Sequence, residues 1–216
     1  MLHRRLFLFV SFLLSSIVPG AQGPEPVALP KPQTEGGRPL MQVLKERKSG
    51  REFSAQPLPL QVLSNLLWAG FGINRQDGRR TAPSSSNRQE LEIYVVLPEG
   101  AYLWDAKQNR LEPLAPGDLR AATGSQSQAF VAAATVNLVY VADYAKMGGQ
   151  SDQNKAVTAA ADTGFIAQNV YLFCASEGLS TVVRGGIDRP AIEKTLKLRP
   201  EQHVTYAQSI GYPKGK

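Results

Sequence analysis

Cysteine and histidine are nearly absent from this chain of 216 residues, which has one cysteine, Cys174, and two histidines, His3 and His203. A single cysteine cannot form an intrachain disulfide. Two histidines without a third partner predict neither a metal cluster nor a Ser/His/Asp triad. Cys174 lies in the apolar stretch NVYLFCASEG and is expected to be buried rather than reactive. When side chains supply neither a metal cage nor a strong nucleophile, a bound organic cofactor is the natural source of reactivity.

A hydrophobic segment long enough to cross a membrane is also missing. The longest predominantly apolar run, residues 6–18, follows Arg4 and Arg5. It is too short for a transmembrane helix but has the length of a signal-peptide core. We therefore predict that residues 1–21 are a signal peptide and that the mature protein is periplasmic or secreted, without stable membrane insertion. An uncleaved anchor is the alternative.

Positive charge is in excess but is not concentrated. The formal net charge is +6 and the pI is about 9.5. The basic residues are dispersed, however, and form no stripe interleaved with aromatic side chains. Nucleic-acid binding requires such a stripe, so no nucleic-acid partner is predicted.

The chain divides by composition after the leader. Residues 22–38 contain four prolines and no apolar period, which is typical of an extended tether. Residues 39–216 are enough for one domain with its own hydrophobic core. Folded structure is expected to begin near Pro39.

Within this domain, helical and strand patterns both occur. Apolar spacings of three and four predict helices after Pro39 and Pro59, and a long helix over residues 152–177, buried on more than one side and ended by Gly178. A short helix should begin at Arg189. Runs rich in branched and aromatic residues predict strands at residues 91–97, 135–143, 180–185 and 203–211, with a hairpin across residues 107–109. We predict an α+β domain with a central, mostly antiparallel sheet flanked by helices.

A basic segment follows the first predicted helix. Arg47, Lys48, Ser49 and Arg51 lie within five residues where the helix enters a loop. Arginine forks onto phosphate, and a serine hydroxyl adds a neutral hydrogen bond. The segment can therefore bind a phosphate group. A solvated basic helix end, favoured by the helix macrodipole, is the alternative.

A polar turn precedes the first predicted strand. Pro83 opens it, and Ser84, Ser85 and Asn87 offer hydroxyls and an amide that suit the ribityl chain of a flavin. In many proteins such side chains only satisfy their own backbone, and this interpretation stays open.

A pair of glycines closes the strand that follows the long helix. At Gly185 and Gly186 the backbone N–H groups can approach a flat or phosphorylated ligand without interference from side chains. Backbone donors of this kind suit the rim of a flavin ring. A tight turn is the alternative explanation.

Four motifs in this order resemble those of the nitroreductase family. RKSGR at residues 47–51 resembles the RRSxR element of that family, and PSSSNRQ at residues 83–89 resembles its PSxxNxQ turn. Residues 162–188 resemble its long helix, strand and flavin-edge segment, and IGYP at residues 210–213 resembles its closing element. The resemblance extends over residues 39–214.

The resemblance implies a fold, a cofactor and a binding mode, namely FMN held noncovalently at the interface of a homodimer. Arg47 and Ser49 would then bind the phosphate and ribityl side, Arg51 would face the pyrimidine edge, and Lys214 would make the closing phosphate contact. Lys48 stands where the family has a second arginine, which departs from the pattern without removing the positive charge.

The remaining contacts implied by the resemblance come from backbone amides and from the second subunit. Gly185 and Gly186 would meet N5 and O4 of the flavin through backbone N–H groups, although several family members carry an acidic residue at the position of Gly185. The partner subunit would supply the polar turn, with four residues: Pro83, Ser84, Ser85 and Asn87.

The activity implied is ping-pong transfer of hydride or electrons through FMN to a nitroaromatic, a quinone or a related small acceptor. NAD(P)H is the usual donor in the family, but it is scarce outside the cytoplasm, so the predicted export leaves the donor unknown. Two alternatives stay open. One is an FMN-dependent oxidase of azoline-type peptides, and the other is a flavin-binding or tetrapyrrole-binding protein without catalytic turnover.

Overall fold

The computed structural model describes residues 24–215, so the predicted signal peptide, residues 1–21, lies outside the described residues. The described part of the chain forms one sheet of seven strands and five α-helices. The strands are β1 (Val27–Ala28), β2 (Leu91–Leu97), β3 (Gly100–Asp105), β4 (Arg110–Pro116), β5 (Val136–Asp143), β6 (Ser180–Arg184) and β7 (Gln202–Gly211). The helices are α1 (Leu40–Glu46), α2 (Leu60–Phe71), α3 (Phe130–Ala133), α4 (Asp152–Glu177) and α5 (Arg189–Thr195).

The sheet confirms the predicted antiparallel architecture. Its strand order is β1-β4-β3-β2-β5-β7-β6, and the pairings between described strands are antiparallel. Strand β5 lies between β2 and β7, and all eight of its residues are buried. Its nearly continuous apolar sequence is what a strand covered on both faces requires. Strand β6 lies at one edge of the sheet, so that one of its two sides faces no other described strand.

Helix α4 packs with α2 against one face of the sheet, whereas α5 covers the other face. Helix α4 begins after Ser151, whose Oγ accepts a hydrogen bond from the Asn154 N–H (3.3 Å). It ends at Gly178, which is in the left-handed conformation (φ 71°). Both ends agree with the sequence-based prediction. The buried residues of α4 form one face, which includes Ile166, Val170 and Cys174. Burial on more than one side, as the sequence suggested, is not observed within a single chain.

The structure corrects the predicted tether over residues 22–38. Val27–Ala28 pairs with β4 at the sheet edge, and Leu29 is buried in the core. The Pro30 carbonyl accepts hydrogen bonds from Ser64 Oγ (2.5 Å) and Asn109 Nδ2 (2.8 Å). Folded structure therefore begins well before Pro39. A two-residue edge strand between prolines is too short to produce a sequence period, and β4 offers it unpaired backbone groups.

Candidate functional site

Residues 47–51, here called the basic loop, follow α1 and lie against the edge of the sheet. Backbone hydrogen bonds fix the loop on both sides. The Gly50 N–H donates to the Thr181 carbonyl of β6 (2.9 Å), and the Lys214 N–H donates to the Glu52 carbonyl (3.3 Å). The chain segment after β7 therefore lies beside the loop, and Lys214 is brought next to the cations predicted from the sequence.

Tyr171 of α4 connects the basic loop to β6. Its hydroxyl oxygen lies 2.8 Å from Ser49 Oγ and accepts a hydrogen bond from the Val183 N–H (2.9 Å). The Arg47 guanidinium carbon lies 5.2 Å from the centre of the Tyr171 ring, within the range of a cation–π contact. Sequence reasoning missed Tyr171. The only signal for it was a tyrosine on an otherwise apolar stretch of a long helix.

The cations of this region have no acidic partner in the described part of the chain. No described carboxylate forms an ion pair with Arg47, Lys48, Arg51 or Lys214. Several other basic residues of the domain do form such pairs. A cavity of about 430 Å³ adjoins the loop, and its lining includes Lys48, Tyr171 and Pro213. Such a group of cations, with a serine hydroxyl, can bind a phosphate.

Gly185 and Gly186 follow directly on β6. The β6–β7 ladder ends at Arg184, so the amides of both glycines lie beyond the paired strands, and both residues are exposed. A Cβ atom at Gly186 would meet nothing within 4 Å, whereas one at Gly185 would lie 3.1 Å from the Tyr206 ring. The space in front of Gly186 is therefore open, and the amides are accessible to a ligand at the sheet edge.

The polar turn, residues 83–87, lies away from the basic loop, near a different part of α4. The Ser85 N–H donates to Asp162 Oδ2 (2.8 Å), and Ser84 Oγ accepts a hydrogen bond from the Gln89 N–H (3.0 Å). Asp162 and Tyr171 are nine residues apart on α4, which corresponds to roughly 13 Å of rise at about 1.5 Å per residue. Within one chain, the basic loop lies beside the first half of β6, through the hydrogen bond from Gly50 to Thr181, and Lys214 lies beside the loop. Gly185 and Gly186 continue the same edge strand, whereas the polar turn lies at another part of α4.

The backbone of the turn is strained. Ser86, Asn87 and Gln89 have positive φ values of 54°, 52° and 49°, a region that residues other than glycine rarely adopt. Exposed Asn87 and half-buried Ser85 keep side-chain groups near the surface. Backbone strain of this kind often accompanies ligand-binding segments.

A buried carboxyl pair, Glu90 and Asp162, lies next to the turn. Glu90 is fully buried, and neither of its carboxyl oxygens has a hydrogen-bond partner among the described residues. Burial raises the pKa of Glu90 to about 7, and the neighbouring Asp162 adds to this effect. The sequence contained a signal for it, since Glu90 stands between the turn and the apolar run of β2. Sequence reasoning did not consider it.

Residues 24–215 contain no exposed cysteine and no cluster suited to a metal ion. Cys174 is fully buried, as predicted, and burial raises the pKa of its thiol well above the ordinary value. Among residues 24–215, no group of three or more histidine, cysteine, aspartate or glutamate side chains is arranged to hold a metal ion. No helix in the described range combines the length and the hydrophobicity needed to span a membrane.

Comparison with known proteins identifies the family of the chain. A sequence model of the nitroreductase family matches residues 44–212. The chain belongs to the nitroreductase family. The resemblance found in its motifs is thereby confirmed, and membership supports an oxidoreductase.

Individual nitroreductase relatives extend the comparison. A protein of Methanocaldococcus jannaschii, named provisionally as a nitroreductase, is 30% identical over 168 residues, which cover 74% of this chain and 85% of the relative. A Ralstonia eutropha crystal structure with a similarly provisional name has a TM-score of 0.84 and 40% identity, covering 89% of this chain and 91% of the other. The Vibrio harveyi NADPH:FMN oxidoreductase, solved with NAD⁺, shares the fold (TM-score 0.61, 24% identity, 82% and 69% coverage).

Proposed function

We propose that this nitroreductase-family protein is an FMN-dependent oxidoreductase that works as a homodimer and passes electrons from a reduced donor to a nitroaromatic, a quinone or a related small acceptor. FMN, when bound, supplies the redox chemistry of a ping-pong cycle. The residues of the chain then need to bind and orient the cofactor and its substrates, and no side-chain acid or base is required.

One observation carries the proposal. The basic loop and Lys214 lie beside the first half of edge strand β6, and the accessible amides of Gly185 and Gly186 follow the last residue of that strand. The cations of the loop have no carboxylate partner among the described residues. This arrangement fits a ligand with a phosphate at one end and a ring rimmed by hydrogen-bond acceptors at the other. Arg47 and Ser49 are assigned to the phosphate and ribityl side, and the amides of Gly185 and Gly186 to the ring.

The homodimer is proposed from exposed apolar side chains on α1 and α4, two helices that pack against each other. Five large apolar side chains are exposed on them: Leu40 (60%), Met41 (77%), Leu44 (44%), Val157 (67%) and Phe165 (47%). Large apolar side chains exposed on neighbouring helices can mark an interface. A second copy packed on this surface would also bring its own polar turn toward the basic loop, which completes the pocket.

The proposal includes an electron donor other than NAD(P)H. NAD(P)H is the donor that the resemblance suggests, and the Vibrio harveyi protein of the same fold is named as an NADPH:FMN oxidoreductase. Residues 1–21 are proposed to direct export to the periplasm or beyond, away from the cytoplasmic nicotinamide nucleotides. Another reductant is therefore part of the proposal.

FMN binding is tested first, by fluorescence titration of the purified protein with FMN. Arg47→Ala should weaken binding roughly 10- to 100-fold, because a hydrogen bond to a charged group contributes about 1.5–3 kcal/mol. Lys194→Ala removes the same charge from exposed α5 on the other sheet face and should leave the affinity unchanged. A wild-type protein that is colourless, monomeric and indifferent to added FMN would refute the proposal.

Turnover is tested second, by stopped-flow bleaching of the flavin absorbance. NADH, NADPH and dithionite are compared as reductants, and a nitroarene and a quinone as acceptors. The expected result is reduction of the flavin, by a nucleotide if NAD(P)H is the donor and otherwise by dithionite alone, followed by reoxidation with either acceptor. A yellow protein that only dithionite reduces, and that passes electrons to neither acceptor, would instead be a flavin carrier.

A further inference from the structure

Arg184 is the last residue of β6 and directly precedes Gly185 and Gly186. Its exposed fraction is only 3%. Nη1 donates hydrogen bonds to the Thr123 carbonyl (2.6 Å) and Gln128 Oε1 (3.4 Å), and Nη2 donates to Thr123 Oγ1 and Asn137 Oδ1 (3.2 Å each). Nε has no partner among the described residues. The guanidinium is therefore held in the interior, on the residue that directly precedes the amides assigned to the flavin ring.

Every acceptor of the Arg184 guanidinium is neutral. No described carboxylate lies within ion-pair distance of it. The acidic residues nearest along the adjoining segments have other partners, because Asp118 pairs with Arg120 and Asp188 accepts the Ala191 N–H at the start of α5. Nothing described in the structure offsets the Arg184 charge.

The guanidinium stays protonated despite its burial. Burial lowers its pKa to about 10, which is still well above neutral pH. Transfer of an unpaired cation into the protein interior is costly, and its field is screened far less there than at the surface. Arg184 therefore places an uncompensated positive charge at the end of β6.

We propose that Arg184 is a positioning residue that makes bound FMN easier to reduce, by holding a buried positive charge on the residue next to the Gly185 and Gly186 amides. The inference rests on the proposed function. When the flavin ring gains two electrons and one proton, its charge becomes more negative by one. A nearby cation favours that reduced state over the oxidised state.

The readout is the midpoint potential of the bound FMN, measured by spectroelectrochemical titration of the flavin-loaded protein. Arg184→Met removes the charge with a side chain of similar length, and the potential should fall. Arg184→Lys keeps the charge and should retain most of the wild-type potential. Lys194→Met removes one charge from exposed α5 and should leave the potential unchanged, since solvent screens that site.

A second variant leaves Arg184 in place. Asn137→Asp puts a carboxylate of similar shape where Asn137 Oδ1 now accepts the guanidinium hydrogen bond, at the cost of the hydrogen bond that Asn137 Nδ2 donates to the Val131 carbonyl. The pair is then neutral, and the midpoint potential should fall as it does in Arg184→Met. This variant keeps the test decisive even if Arg184→Met does not fold, and it separates the charge from a purely structural role of the arginine.

The outcomes distinguish this inference from the proposed function. If the wild-type protein binds no FMN, the proposed function fails first. If FMN binds and the potential in Asn137→Asp and in any folded Arg184→Met equals that of the wild type, the inference about Arg184 is overturned, whereas the proposed function stands. A parallel fall in Arg184→Lys would assign the effect to packing rather than to charge and would also overturn it.

Discussion

Replacing Glu90 by glutamine should stabilise the protein strongly above neutral pH and hardly at all in mild acid. Glu90 is fully buried without a hydrogen-bond partner for either carboxyl oxygen in the described part of the chain. Burial, with a contribution from Asp162, raises its pKa from 4.5 to about 7. The ionised form is therefore disfavoured in the folded protein but not in the unfolded chain.

Proton linkage gives the direction in which the free energy of unfolding changes with pH. Because the pKa of Glu90 is higher in the folded state, its contribution to the free energy of unfolding is fully present below about pH 4.5 and is lost as the pH rises through about 7. At about 1.4 kcal/mol per pKa unit, the loss amounts to about 3 kcal/mol at alkaline pH. Glutamine cannot ionise and should escape this loss.

Urea unfolding of the flavin-free protein measures the effect, with Trp68 and Trp104 as fluorescence probes and the protein concentration held constant. The gain in free energy of unfolding for Glu90→Gln should grow from near zero at pH 4.5 to about 3 kcal/mol at pH 8.5. Glu201→Gln, at an exposed position, is the control and should show no such growth. A gain for Glu90→Gln of equal size at both pH values would refute the reasoning.

Two further predictions concern Tyr171 and Gly178. Tyr171→Phe removes the hydroxyl that links Ser49 to the Val183 N–H. FMN titration should show that binding is weakened about fivefold, because a hydrogen bond contributes about 1 kcal/mol. The control variant Tyr144→Phe should bind FMN as the wild type does. Gly178→Ala forces a side chain into the left-handed conformation that ends α4. Thermal unfolding should show that the free energy of unfolding falls by about 1–2 kcal/mol. An unchanged melting temperature would contradict the assigned cap.

The sequence was sufficient wherever structure depends on local pattern. The bounds of α4 were predicted because its apolar period is long and Gly178 is a specific stop signal. Strand β5 was predicted because a short apolar run rich in branched residues suits a central strand. The cations of the basic loop were selected from their residue types alone, and their phosphate-binding role stays a prediction.

The sequence was insufficient where a residue acquires its role from a distant partner. Val27–Ala28 becomes a strand only because β4, more than eighty positions later, offers an open edge. Tyr171 and Arg184 gain their roles from contacts with Ser49 and Thr123. No period or motif encodes such contacts, since they depend on how the sheet and α4 are assembled.

Gly164 provides a further argument for the proposed homodimer. A glycine inside a helix costs about 1 kcal/mol relative to alanine. Yet a Cβ atom at Gly164 would meet nothing within 4 Å in the single chain, so the packing of one copy does not require it. The residue lies beside exposed Phe165 and only two positions from Asp162, which holds the polar turn. A two-fold axis near Gly164 would let the α4 helices of two copies pack closely side by side, in antiparallel directions. The polar turn of one copy would then face the basic loop of the other.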